Sequence, residues 1–375
     1  MTSAFDLTLP ELTTRTSAKW RVYPPDVLPL WVAEMDVRPV PAVVEAVSRA
    51  VAAGDTGYPG GTEYAEAYAA FAAERWGWAL DPARLRRVPD VLTGIAELIG
   101  LLTSPGGAVV LSPPVYPPFF SVVEHTGRRV VRAPLGGDLR LDLDALAGAF
   151  ELAGPGSVYL LCHPHNPTGR LHTPAELAAV GELARRAGVR VVSDEIHAAL
   201  VLDGSFTPAT TVIPDAFALH SASKTFNLAG LPSALLVPGP DATGDLARMS
   251  PFAGHGSSHL GGIAQAAALR DGGPWLDELL DSLRANVVLL DELLTRLLPA
   301  VSWTAPQATY LAWLDLRRVV PDGVEPARHL LDHARVAVNP GPTFGAEGAG
   351  FVRLNLATSP AILTEAVERI AAAVP

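Results

Sequence analysis

Three short apolar runs in this chain each end on a polar side chain. Val158 to Cys162 leads into His163-Pro164-His165-Asn166-Pro167-Thr168-Gly169. Val189 to Ser193 leads into Asp194-Glu195-Ile196-His197, and Ala216 to His220 into Ser221-Ala222-Ser223-Lys224. Each run reads as a short buried strand, and Val109 to Ser112 is a fourth of the same kind. Buried strands alternating with helical periodicity are the signature of an α/β fold with a largely parallel sheet. In an open parallel sheet, ligands bind outside the carboxyl ends of the strands, so Asn166, Asp194 and Lys224 are expected around one crevice. A lysine partly stripped of water there has a lowered pKa, and its amine becomes a nucleophile toward a carbonyl.

Between the strands lie helical stretches. The clearest opens at Thr173, with Pro174 in the first helical position and Glu176 completing a capping box. Its apolar face is Leu177, Val180, Leu183 and Ala184, and Gly188 stops it. A long amphipathic helix (Leu276 to Leu298) precedes a strand at Thr309 to Leu316 and a smaller α+β region. The segment Pro29 to Ala53, with a Pro-opened helix from Pro41, is expected to pack against that C-terminal region. At 375 residues the chain exceeds one core of usual size. The division expected is a large domain over 45–270 and a small one from 1–44 and 271–375.

Composition narrows the function. Apolar residues make up 49% of the chain, enough for a large core, and the net charge of −11 argues against a nucleic-acid surface. Cys162 is the single cysteine, so no internal disulfide and no cysteine-based zinc cluster is expected; at the end of an apolar strand it reads as buried filler. His255 and His259 at i, i+4 have no third ligand nearby, and His163 and His165 flank a proline in a turn, so no metal site is expected. Gly341-Pro342-Thr343-Phe344-Gly345 lacks the strand–turn–helix context of a dinucleotide fingerprint. No apolar run is long enough for a membrane span and the start carries no secretory pattern, so a cytoplasmic protein is the expectation.

Asn166-Pro167-Thr168-Gly169, Asp194 with an aromatic residue three positions on, and Ser221-Ala222-Ser223-Lys224, in that order, resemble the class I/II pyridoxal 5′-phosphate (PLP)-dependent aminotransferases. More narrowly, Ser193 to His197 and Ser223-Lys224-Thr225-Phe226-Asn227-Leu228-Ala229-Gly230-Leu231 resemble the MalY/PatB group of cystathionine β-lyases, or C–S lyases. Leu30 to Ala33 and Phe351 to Asn355 extend the likeness over nearly the whole chain.

The resemblance implies fold type I, the aspartate-aminotransferase-like fold, and PLP as cofactor. It implies that Lys224 holds the cofactor and later moves the Cα proton of the substrate. Asp194 would pair with the pyridine nitrogen and Asn166 with the ring hydroxyl, while Tyr116 would stack on the ring. His197 stands where the broader family usually has Tyr. For the phosphate, Thr93-Gly94-Ile95-Ala96 opens an apolar helix whose free N–H groups suit a dianion, with the Ser221 and Ser223 hydroxyls as further donors. Tyr58 would reach the phosphate from the partner subunit of a homodimer, and Arg353 would clamp the substrate carboxylate beside Asn166. Two positions depart from the pattern. Pro232 replaces a phosphate-binding Arg usual in aminotransferases and commonly missing in the lyases. Glu34 in Ala33-Glu34-Met35-Asp36 replaces the Asp usual in the lyases.

The reaction expected is α,β-elimination of a thiol from an L-cysteine S-conjugate such as L-cystathionine, giving pyruvate and ammonia. An aminotransferase on the same scaffold is the alternative, and a PLP-binding regulatory protein with little turnover is a third reading.

Overall fold

The computed structural model describes residues 3–321 and 323–374; Met1 and Pro375, the outer limits of the expected small domain, lie outside the described residues. In chain order the strands begin with a short β1 (Leu28–Pro29). Next come β2 (Arg86–Val88), β3 (Ala108–Leu111), β4 (Arg129–Arg132), β5 (Ser157–Cys162), β6 (Val189–Asp194), β7 (Phe217–His220) and β8 (Ala234–Pro238). The last are β9 (Ser302–Trp303), β10 (Leu311–Asp315), β11 (Val336–Ala337), β12 (Asn339–Pro340) and β13 (Phe351–Asn355).

The strands β2 to β8 form one sheet in the order β2-β8-β7-β6-β5-β3-β4. All pairings are parallel except those of β8 with its two neighbours. Both faces are apolar, as the uninterrupted runs require. On β5, Val158, Leu160 and Cys162 join the core beneath helices Val91–Leu102 and Pro118–His125. Tyr159 and Leu161 face helices Leu143–Ala153 and Pro174–Ala187. Each fully buried Val or Leu on these faces contributes about 1.5–3 kcal/mol of apolar burial. The helix Pro174–Ala187 is capped as the sequence predicts. The Glu176 N–H donates to Thr173 Oγ1 (3.2 Å), the Thr173 N–H donates to the Glu176 carboxylate (2.7 Å), and Gly188 ends the helix at φ 67°.

Strand order reverses between β3 and β5: β4 lies outside β3, and the chain returns through Leu143–Ala153 to begin β5 on the other side. The crevice at such a switch point is where a doubly wound sheet receives a ligand.

A second sheet, β12-β13-β10-β9, is antiparallel and is covered by helices Gly273–Leu297 and Pro360–Ala373. The parallel pair of β1 with β11 ties the N-terminal segment to this part of the chain. The helix Pro41–Ala52 behaves differently from expectation, because it packs on helix His259–Asp271. The latter is rich in glycine and alanine (Gly261, Gly262, Ala264, Ala266, Ala267 and Ala268 are buried), which lets a second helix approach closely. The expected boundary at residues 44 and 45 falls within helix Pro41–Ala52. Among the described residues, no helix is long and apolar enough to cross a membrane.

Candidate active site

Four strand ends open into one cavity of about 480 Å³. Tyr116 follows β3, Asn166 follows β5, Asp194 closes β6 with His197 just beyond, and Ser221, Ser223 and Lys224 follow β7; all line it. The opposite wall comes from the second sheet and the N-terminal strap: Asn339, Thr343 and Arg353 with Trp31, Val32 and Ala33. Residues up to 322 positions apart in the chain thus share one space, as the bond from Arg353 to the Trp31 carbonyl shows directly.

Lys224 reaches into the cavity, and its Nζ donates to the Ala33 carbonyl at 2.9 Å. Desolvation, with the Arg353 charge adding to it, brings its ammonium down to about 8, against the opposing pull of Asp194 and Glu34. Asp194 accepts the Ile196 N–H at 3.1 Å. Burial still raises its carboxyl to about 7, against the lowering by the Ile196 N–H and the Lys224 charge. His197 is buried with an unpartnered Nδ1, and desolvation, then Lys224 and Arg353, lowers it to about 3, so the ring is neutral. It meets Tyr310 edge to face, with centroids 5.9 Å apart.

Arg353 is only 3% exposed. Its Nη1 donates to Asn166 Oδ1 at 3.1 Å and its Nη2 to the Trp31 carbonyl at 3.0 Å, while Nε has no partner. Burial lowers the guanidinium to about 10, which leaves it cationic at neutral pH. Because Asn166 spends its oxygen on Arg353, its amide N–H₂ is the end left for a ligand acceptor. Burial pushes the Tyr116 hydroxyl up to about 12, and the ring stands edge-on to Phe119.

This donor set fits PLP. Lys224 offers an amine, Asp194 is a buried carboxylate that can pair with a protonated ring nitrogen, and Asn166 has a free donor. His197 and Tyr116 are ring-lined walls of the same cavity. The chain matches the family described as aminotransferase class I and II over residues 25–370. The chain belongs to the class I and II aminotransferase family.

Within it, a Mycobacterium leprae protein provisionally named a cystathionine beta-lyase is 54% identical, over 97% of this chain and 96% of its own. The cystathionine beta-lyase PatB of Bacillus subtilis is 36% identical, over 93% of this chain and 92% of its own. The PLP-bound C–S lyase of Staphylococcus hominis superposes with a TM-score of 0.88 at 25% identity, covering 96% and 95% of the two chains. The protein has the fold type I architecture of this PLP-dependent family.

Several phosphate-end expectations need correction. The helix near Thr93 begins earlier, at Val91, and Asp90 caps it by accepting the Thr93 N–H at 2.9 Å. The Gly94 N–H donates to the Asp90 carbonyl at 3.0 Å, and Ile95 is fully buried. Thr93, Gly94 and Ile95 therefore have no free N–H to give, and none lines the cavity. Val91 and Leu92 do line it, at the helix start where N–H groups lack helical partners. The cue in the sequence is the aspartate at 90, an N-cap residue directly before Val91. The Ser221 hydroxyl is also committed, donating to the Ser233 carbonyl at 2.7 Å, so Ser223 is the hydroxyl left over. Tyr58 is 96% exposed in the loop before helix Glu63–Trp76 and does not line this chain's cavity.

One signal went unread. The whole chain has only two lysines, Lys19 and Lys224, against 26 arginines. Lys19 is buried, 2.8 Å from Asp36, which leaves Lys224 as the lysine within reach of a ligand. The wall residues Asn339 and Thr343 carried no recognisable motif. Cys162 sits under the Asn166 turn, accepting the Asn166 N–H at 3.4 Å, and desolvation drives its thiol upward, out of nucleophile range.

Proposed function

We propose that this protein is a PLP-dependent C–S β-lyase that eliminates a thiol from an L-cysteine S-conjugate. The observation that carries this reading is the near full-length identity to proteins named cystathionine beta-lyase. The cavity supplies the matching chemistry, and Pro232 in place of an arginine accords with the lyase pattern.

When bound, PLP supplies an attachment point for an amino group and a sink for the electron pair left at Cα. The protein's residues do the rest. Asp194 holds a proton on the ring nitrogen by its buried negative charge, and the Asn166 amide donates to the ring hydroxyl. Val91, Leu92 and Ser223 supply N–H and O–H donors to the phosphate. Arg353, whose guanidinium lines the cavity, pairs with the substrate carboxylate and fixes the orientation of the Cα–H bond. Lys224, whose burial brings its ammonium down to about 8 and whose Nζ is held at the Ala33 carbonyl, takes the Cα proton as general base in its neutral form. The thiolate then leaves from Cβ. In the net reaction the S-conjugate and one water give thiol, pyruvate and ammonium. The single chain leaves Tyr58 wholly exposed, which suits a homodimer in which Tyr58 completes the partner's phosphate site, in a cytoplasmic enzyme.

The test is to incubate PLP-loaded protein with L-cystathionine and no keto acid while following pyruvate and free thiol. Equal release over many turnovers is expected. One conversion of the cofactor to its amine form, with no thiol, would instead assign transamination.

A further inference from the structure

The turn that carries Lys224 and the loop that carries Pro232 meet at a side chain that neither the family pattern nor the mechanism uses. Gln265, on helix His259–Asp271, is fully buried. Its Oε1 accepts the Ala222 N–H at 2.9 Å and the Tyr64 hydroxyl at 2.7 Å. Its Nε2 donates to the Ser233 carbonyl at 2.8 Å and the Leu231 carbonyl at 3.2 Å. The Ser221 hydroxyl, 3.2 Å from Oε1, donates to the same Ser233 carbonyl and so closes the ring of contacts. The helix can come this close because residue 261 is a glycine; a Cβ there would lie 2.6 Å from the Pro232 carbonyl.

We propose that Gln265 is a positioning residue that joins the Ser221–Lys224 turn and the Leu231–Ser233 loop into one fixed wall at the phosphate end of the cofactor site. The inference rests on Lys224 being the lysine that holds PLP. Its physical basis is the amide itself. A glutamine accepts and donates at once, so it satisfies the N–H of the lysine turn and both carbonyls that flank Pro232. Methionine of similar shape does neither, and glutamate would set a buried carboxylate against two carbonyl oxygens. An unmet backbone donor or acceptor is costly in the buried state. The turn and the loop would relieve that cost by moving apart, and both line the cavity at Ser221, Ser223, Lys224, Pro232 and Ser233. Residue 232 offers no cation to hold the phosphate, so binding depends on neutral donors whose placement matters more. Gln265 touches neither cofactor nor substrate; it acts through the wall.

The test titrates cofactor-free Gln265→Met with PLP, follows the visible absorbance of the bound cofactor against pH, and measures the urea midpoint of the cofactor-free protein. Asn286→Leu is the control. Asn286 is another buried amide, donating to the Leu356 and Thr358 carbonyls at 2.8 Å each, and it does not line the cavity. Both variants are expected to lower the urea midpoint. Gln265→Met alone is expected to weaken PLP binding about tenfold or more and to move the absorbance midpoint by roughly half a pH unit, because Lys224 is displaced. PLP affinity within about twofold of wild type and an unmoved midpoint would overturn the proposal, as would equal weakening by Asn286→Leu. Should Gln265→Met fail to fold, Tyr64→Phe removes only the hydroxyl that fixes the amide's orientation. A loss of about threefold is then expected, and unchanged binding overturns the proposal. Lys224→Ala separates the two claims: if it keeps the wild-type absorbance, the lysine assignment itself has failed.

Discussion

Replacing Arg353 by lysine keeps a positive charge in the cavity and removes the fork. In the structure the guanidinium does two things at once: Nη1 and Nη2 hold the Asn166 side chain and the Trp31 carbonyl, and Nε remains free. A carboxylate in the cavity meets a planar guanidinium whose orientation these two bonds already hold. A lysine ammonium is a point donor on a flexible stem and cannot satisfy Asn166, Trp31 and a carboxylate together with the same geometry. The loss is one charge-assisted hydrogen bond of about 1.5–3 kcal/mol. At about 1.4 kcal/mol per factor of ten, this corresponds to roughly 10- to 150-fold in kcat/KM. Most of it is expected in KM, since the carboxylate is bound alike before and during the reaction. The assay is pyruvate release from an S-conjugate over a range of concentrations, with Arg353→Met as the charge-free reference. Arg353→Lys within about threefold of wild type in kcat/KM would refute the carboxylate-binding role of the Arg353 guanidinium.

Four further outcomes are expected. Asp194→Ala removes the buried counter-charge and is expected to cost on the order of 10²-fold or more in kcat, read by the same pyruvate assay. Asp90→Asn keeps the cap on Thr93 but removes a carboxylate from the helix start that lines the cavity, the end proposed for the phosphate. Thermal stability is expected to change little, and PLP to be retained several-fold more tightly in an equilibrium titration. With its ammonium at about 8, Lys224 is neutral above that pH, so the rate of PLP capture by the cofactor-free protein is expected to rise through that pH and level off beyond it. A rise continuing toward the ordinary lysine range would contradict the burial effect. Lys19→Met leaves Asp36 buried without its partner and is expected to destabilise by about 3–5 kcal/mol in a denaturant titration, with partial recovery in the Lys19→Met/Asp36→Leu double variant.

The central sheet was legible because its strands are buried on both faces and end on residues that are poor strand formers. Runs such as Val158 to Cys162 cannot be half-exposed strands, and Asn166, Asp194 and Lys224 had to emerge at one edge. Local chemistry was equally legible where neighbours in sequence decide it, as at the Thr173 cap. What escaped notice depends on contacts between distant segments. Nothing near Gln265 in the sequence hints that its amide bridges Ala222 and Ser233. The alanine- and glycine-rich surface that captures helix Pro41–Ala52 lies over 200 residues away, so the sequence alone favoured the wrong neighbour. The Val91 helix begins two residues before the expected Thr93, because Asp90 is its cap. The structure uses Gly94 for close packing instead: a Cβ there would lie 2.3 Å from the Leu219 side chain.

The most direct measurement is borohydride reduction of the PLP-loaded protein, followed by digestion and mass spectrometry of the labelled peptide. With two lysines in the chain and Lys19 sealed against Asp36, the outcome is close to binary. A single cofactor adduct on the peptide containing Lys224 is the expected result. Adduct on Lys19, or none on Lys224 in protein that carries PLP, would contradict a site built at the carboxyl ends of β5, β6 and β7.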